Sequence, residues 1–178
     1  TALAFPELHW EKVSDKKGVL VSKAEIPGSK LIAFRGESVI PASILKVAHI
    51  VRDPGRGTEW VAGLKVSTIF KTLGPLEFLE YDRMGLPFPV RDRDFVLHSR
   101  TTADPGKAWI RVRFESIEEL SQPKVKGLIR GNLLWAQFEM WGLDENSTRV
   151  VAEAVGDPKG RLPKWLVNWF QKGWPRAT

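Results

Sequence analysis

The spacing of apolar positions changes along this chain, and each change marks a different kind of element. Val19–Glu25 and 31–38 are short runs of mixed polarity separated by Ile26-Pro27-Gly28-Ser29, a pattern that predicts two strands joined by a turn. From Ile40 the period lengthens. Ile44, Val47, Ala48 and Val51 share one helical face, and Pro41 falls in the first turn of a helix expected over 40–51. The residues ahead of Val19 place Leu8, Trp10 and Val13 among polar neighbours and end in Asp15-Lys16-Lys17-Gly18, which reads as a helix or loose arm closed by a turn. Asp53-Pro54-Gly55-Arg56-Gly57 completes neither a GxGxxG nor a GxxxxGK[ST] pattern, so it reads as a plain loop.

Beyond Trp60 strand-like runs dominate, at 63–71, 76–84, 94–102, 108–116, 127–141 and 148–156. In one of them Ile110, Val112 and Phe114 alternate with Arg111, Arg113 and Glu115, the pattern of a sheet with one covered and one wet face. The period lengthens again at the end of the chain. Leu162, Trp165, Leu166, Trp169 and Phe170 fall at i, i+3, i+4, i+7 and i+8, opposite Lys164, Asn168, Gln171 and Lys172. Pro163 suits the first turn of this terminal helix and Gly173 its stop. At roughly 1.5–3 kcal/mol per large apolar side chain, burying four of them contributes on the order of 6–12 kcal/mol. Many antiparallel strands with helices segregated against them make the fold class α+β. A length of 178 residues suits one domain, 1–178, with one substantial core.

Composition narrows the function. Hydrophobic residues at 43% and charged residues at 27% are ordinary globular values and argue against disorder. No apolar run approaches the roughly 18 residues of a membrane span, so a soluble protein is expected. The absence of cysteine removes disulfides, thiolate metal sites and a cysteine nucleophile together. A net charge of +6 is spread through every segment without a nucleic-acid motif, so nucleic acid is not an expected partner. His9, His49 and His98 stand apart, with no HExxH spacing, and no GxSxG elbow occurs. No metal and no cofactor is expected. Arg93 and Asp94 open a strand and read as a structural salt bridge rather than as an acid and an anion site. Ala2-Leu3-Ala4 has the small-x-small look of a signal-peptidase site but no apolar segment ahead of it, which leaves cytoplasm and periplasm both open.

Three blocks are more specific. Pro87-Phe88-Pro89-Val90-Arg91-Asp92-Arg93-Asp94-Phe95-Val96, then Val125-Lys126-Gly127-Leu128-Ile129-Arg130-Gly131, then the stretch from Asp157-Pro158-Lys159-Gly160 to Trp165-Leu166-Val167-Asn168 occur in the order and spacing of START domains. The chain resembles these lipid-transfer domains, related to the steroidogenic acute regulatory protein, over essentially its whole length. The resemblance implies a helix-grip fold, in which a curved antiparallel sheet wraps the long C-terminal helix and encloses a tunnel for one apolar molecule. It implies a lipid or other hydrophobic small molecule as partner, transient contact with a membrane surface, and a monomer.

The resemblance also assigns positions. Glu80 maps onto an acidic cavity residue, with Phe95, Leu97, Ser99, Trp165, Leu166, Trp169 and Phe170 lining the same cavity. Leu86, Pro87 and Phe88 map onto a gate loop over 85–91. The cholesterol-type pattern pairs the acidic residue with an arginine, but Ser99 stands at that place here, and Arg100 falls on the other side of the strand. This departure weakens a sterol reading. Glu80 is expected either buried, with a raised pKa or a bound head group, or half-exposed at the surface. Trp10 and Trp60 are expected to serve the core. The implied function is a non-enzymatic carrier; the alternative is an enzyme like the polyketide cyclases and aromatases, with Glu80 or Asp82 moving protons in the same cavity.

Overall fold

The computed structural model describes residues 8–160, and the helix expected after Gly160 lies outside them. The strands are β1 (Glu11–Lys16), β2 (Val19–Glu25), β3 (Ile32–Ile40), β4 (Leu64–Gly74), β5 (Glu77–Met84), β6 (Arg93–Asp104), β7 (Trp109–Ser116), β8 (Ile129–Arg130), β9 (Asn132–Asp144) and β10 (Ser147–Asp157). Helices α1 (Ile44–Arg52) and α2 (Pro54–Trp60) lie between β3 and β4. The sheet runs in the order β1-β2-β3-β10-β9-β7-β6-β5-β4, with β8 off this path against β6. Every pairing along the path is antiparallel, and β6 with β8 is parallel. This is the α+β layout the strand count calls for.

Local chemistry sets the connections. Lys17 and Gly18 both have positive φ between β1 and β2, the requirement of a tight two-residue hairpin turn. Between β9 and β10, Asp144 accepts hydrogen bonds from the Asn146 amide at 2.7 Å and the Ser147 hydroxyl at 2.6 Å. The stretch before Gly18 is therefore an edge strand rather than a helix or loose arm. Its apolar anchor Trp10 packs beside Leu8, Ile26 and Leu31 on a cluster of Ala24, Ala33, Trp135 and Val155. The Arg35 guanidinium lies 4.1 Å from the Trp10 ring centroid.

The two helices depart from expectation in detail. α1 begins after its N-cap Ser43, so Pro41 precedes the helix instead of opening it. The loop expected at Asp53-Pro54-Gly55-Arg56-Gly57 is a helix. Asp53 Oδ1 accepts from the Gly55 amide at 3.0 Å, and Pro54 occupies the first turn, so cap and proline outweigh the poor helix propensity of two glycines. A Cβ on Gly57 would stand 2.9 Å from Leu64 Cδ2, which explains why no larger residue fits where α2 meets β4. The run over 127–141 is likewise two strands. At the break, Gly131 donates to the Asp94 carbonyl at 2.9 Å, and the Phe95 ring occupies the space a Cβ would need.

Alternation and register divide the sheet into two unlike faces. One face, called inner here, carries α1: Val47 and Ala48 pack with Val112, Met140 and Val150, bordered by Ile110, Phe114 and Phe138. The pairing Thr101↔Val112 and Ser99↔Phe114 continues this face onto β6, and Phe78↔Ser99, Glu80↔Leu97 and Asp82↔Phe95 continue it onto β5. The outer face carries the Trp10 cluster and, beside it, a ladder of charge. Arg35 pairs with Glu153, Arg149 with Glu37 at 2.8 Å, and Glu77 with both His98 at 2.6 Å and Arg100 at 2.8 Å. Apart from Arg35–Glu153, whose carboxylate is buried, these pairs are open enough to contribute only about 0–1 kcal/mol each, so the covered inner face holds the fold more than they do.

Arg93 and Asp94 are structural, but they do not pair with each other. Asp94, 1% exposed, accepts from Arg130 at 2.9 Å, while Arg130 also donates to the carbonyls of Gln122 and Pro123. Arg93, 2% exposed, donates to the carbonyls of Arg91, Pro158 and Lys159, and so ties the start of β6 to the residues that follow β10. Removing Arg130 leaves a buried carboxylate without its cation. Arg130→Ala is expected to lower unfolding stability by about 3–5 kcal/mol, read as a lower urea midpoint with an unchanged m-value.

Candidate functional site

The inner face is apolar except where β5 and β6 meet. There, Glu80 is 3% exposed and Ser99 0%, with Leu97 and Phe78 buried beside them. Glu80 and Asp82 are two residues apart on β5, so their side chains leave the same face of the sheet. On the far side, Ile69 of β4 lies opposite Glu80 and Ser67 opposite Asp82. Among the described residues Asp82 Oδ1, Ser99 Oγ and Thr101 Oγ1 are buried without a hydrogen-bond partner. Unpaired polar atoms in a covered apolar region are uncommon and call for an explanation.

Burial shapes the electrostatics. Removal from water, with repulsion from Asp82 adding to it, pushes the Glu80 carboxyl well above its ordinary range. Burial pushes Asp82 up to about 6, against the hydroxyl of Ser67, which favours the charged form. Among the described residues neither carboxylate forms an ion pair with a lysine or arginine. Arg100 lies on the outer face with Glu77, while Ser99 lies on the inner face. Two carboxyls in this setting can hold a proton between them and accept hydrogen bonds from a donor placed above the sheet.

The other predicted positions are spread along the same end. Phe95 is half-buried over Gly131, and Leu97 is 4% exposed. Leu86 is half-buried, Pro87 is exposed, and Phe88 is 94% exposed at the tip of its loop. That loop is clasped at its base by Asp92, which accepts from the Leu86 amide at 3.2 Å and pairs with Arg83 at 2.7 Å and Lys65 at 3.2 Å. Trp165, Leu166, Trp169 and Phe170 lie outside the described residues. Thr101 and Ser67 are part of the polar cluster and were not singled out in the sequence. The step of two from Ser99 to Thr101 is the signal that could have found the first. The described residues contain no group of three His, Asp or Glu suited to a metal. No described helix is long and apolar enough to cross a membrane.

With this geometry in hand, the comparisons with known proteins are decisive about family. The START domain model matches residues 6–174. The chain belongs to the START domain family. An uncharacterized protein of Pseudomonas aeruginosa is 28% identical over 171 residues, spanning 95% of this chain and 82% of that one. The phosphatidylcholine transfer protein of Rattus norvegicus is 21% identical over 92% of this chain and 77% of its own. The crystal structure of a STAR-related lipid transfer protein fragment from Xanthomonas axonopodis superposes with a TM-score of 0.80 at 27% identity, covering 95% of this chain and 93% of that one. The START fold is the helix-grip arrangement, and the sheet carrying α1 and α2 on its covered face is its described part.

The raised carboxyl pKa values of this START domain make a statement about stability. The folded chain binds more protons than the unfolded one between the ordinary carboxyl range and the raised values, so each carboxyl's contribution is full at low pH and is lost as pH rises through its raised value, about 6 for Asp82. Asp82→Asn removes that loss. The thermal midpoint of the variant is expected to exceed the parent's by a few degrees, at about 2–4 °C per kcal/mol, at pH 7.5, with the gap closing toward pH 4.5. A gap independent of pH would refute the burial of an ionisable Asp82.

Proposed function

We propose that this START domain is a non-enzymatic carrier that binds one lipid or lipid-like molecule against the inner face of the sheet. In this reading the terminal helix over 162–172 forms the opposite wall, with Trp165, Leu166, Trp169 and Phe170 facing the ligand, and the 85–91 loop is the gate. The observation that carries the proposal is the company kept by the polar atoms. Asp82 Oδ1, Ser99 Oγ and Thr101 Oγ1 lie without partners among Phe78, Leu97 and Val112, and a fully packed core would leave such atoms unsatisfied at about 1–3 kcal/mol each. A space that takes an apolar molecule with a polar end removes that cost. The printed names of two similar proteins, a phosphatidylcholine transfer protein and a STAR-related lipid transfer protein, support the same class of cargo.

The Glu80 and Asp82 pair also suits the second reading, a cyclase-like enzyme with one carboxyl protonated and one poised near neutrality. Turnover of a polyketide analogue that disappears in Glu80→Gln would favour it over the carrier.

Native mass spectrometry after mixing with vesicles tests the carrier directly. The expected result is a one-to-one adduct of lipid mass, and a chain that takes up nothing refutes the reading. Phe88, exposed at the loop tip, supplies the apolar surface for meeting a bilayer. Placing a charge there removes roughly 1.5–3 kcal/mol of apolar transfer. Phe88→Asp is expected to slow lipid transfer between vesicles about tenfold or more, with equilibrium binding of the lipid near that of the parent; unchanged transfer rates would remove the loop from the exchange step.

A further inference from the structure

We propose that Glu80 and Asp82 form a receptor for a primary ammonium, with Ser99 on the other side of Glu80 as a further acceptor, so that the cargo is an amphiphile with a protonated amine at its polar end. This rests on the carrier reading and specifies the chemistry of what is carried.

This chain matches its other buried carboxylates with arginines of its own. Asp94, 1% exposed, has Arg130 at 2.9 Å, and Glu153, 7% exposed, has Arg35 and the Gln137 amide. Glu80 and Asp82 have no such cation among the described residues. The candidates nearby are engaged elsewhere. Arg93 donates to the carbonyls of Arg91, Pro158 and Lys159, Arg83 and Lys65 pair with Asp92, and Arg100 pairs with Glu77 on the outer face.

Geometry makes the pair one site. Both carboxyls leave the inner face of β5, with Glu80 at the centre: Asp82 is two residues along the same strand, and Ser99 is the diagonal neighbour of Glu80 on its other side, roughly 13 Å along the strands from Asp82. Ser99 is fully buried and its hydroxyl has no partner, and Asp82 Oδ1 is likewise unpaired. These unfilled positions are acceptors, or a hydroxyl able to accept. What fits them is a group rich in N–H donors that carries positive charge.

A primary ammonium supplies both features: its N–H bonds can reach several acceptors at once, and its charge offsets the negative charge the pair retains when one carboxyl is protonated. A fatty acid carboxylate would meet like charge in a region of low dielectric and is disfavoured. An alcohol supplies a single neutral donor. A quaternary ammonium brings charge with no N–H to fill the acceptors.

Titration calorimetry with dodecylamine, dodecanol and dodecanoate at pH 7, each at monomeric concentration, decides the matter. The expected order is amine tightest and dodecanoate weakest, with amine over dodecanoate by about tenfold or more. In the double variant Glu80→Gln with Asp82→Asn, folded by circular dichroism, the ratio of amine to dodecanol affinity is expected to collapse toward unity. Parent protein that binds dodecanoate or dodecanol as tightly as the amine overturns the proposal without reference to any variant, while leaving the carrier reading standing. An amine preference that survives in the double variant overturns it as well, since the ammonium would then sit elsewhere. Failure to bind any of the three overturns the proposal and the carrier reading together.

Discussion

The alternation of side chains along the long antiparallel strands is the constraint on which everything else in this protein depends. On β5, β6, β7, β9 and β10 the odd and even positions belong to different worlds: one face meets α1 and the apolar cluster around Met140, and the other carries the ion pairs beside a separate cluster around Trp135 and Val155. A slip of one residue in any pairing would send Glu77 and His98 into the apolar layer and Phe78 and Ser99 out of it. Register is therefore held by the penalty of exchanging the faces. The carboxyl pair inherits its position from the same rule, because Glu80 and Asp82 cannot leave the inner face without taking Phe78 with them.

The outer ladder and the inner layer differ in what they contribute. Arg100, 61% exposed in its side chain, and Arg149, 41% exposed, hold carboxylates that water would solvate almost as well. Their value lies in pairing neighbouring strands correctly and in keeping a broad sheet face polar. By contrast, Arg93 and Arg130 are buried cations whose hydrogen bonds join elements far apart in sequence. Arg93 reaches the carbonyls of Pro158 and Lys159, and Arg130 reaches Asp94 on β6 and the carbonyls of Gln122 and Pro123. These two residues fix where β6 begins after the 85–91 loop and where the chain leaves β10.

Much of this was legible in the residues because period-two alternation and turn chemistry are local signals. Val19–Glu25 is a strand with the expected ends, and the six runs after Trp60 correspond to strands, one of them cut at Gly131. What escaped was decided by partners distant in sequence. The edge strand Glu11–Lys16 has no clean alternation of its own and is a strand because β2 offers it a ladder. Helix α2 has two glycines against it, and only the Asp53 cap and the packing of Gly57 on Leu64 make it a helix. At the site, Glu80 could be located by family resemblance, but its burial could not. That depends on Ile69, Leu97 and Ser99 arriving from two other strands.

The carboxyl pair sets stability against function in a way the rest of the sheet does not. Asp94 and Glu153, the other buried carboxylates, are each matched by an arginine, and the match is part of folding. Among the described residues Glu80 and Asp82 have hydroxyls and apolar neighbours instead, so the folded state holds these carboxyls at raised pKa values and leaves Asp82 Oδ1 without a partner. A pair of apolar residues would fill the same strand positions with less strain on stability. Retaining the carboxyls makes sense if their missing partner arrives with a ligand, and then binding and folding are linked: whatever neutralises the pair stabilises the domain in proportion to its affinity and concentration. The empty domain would then be the less stable form.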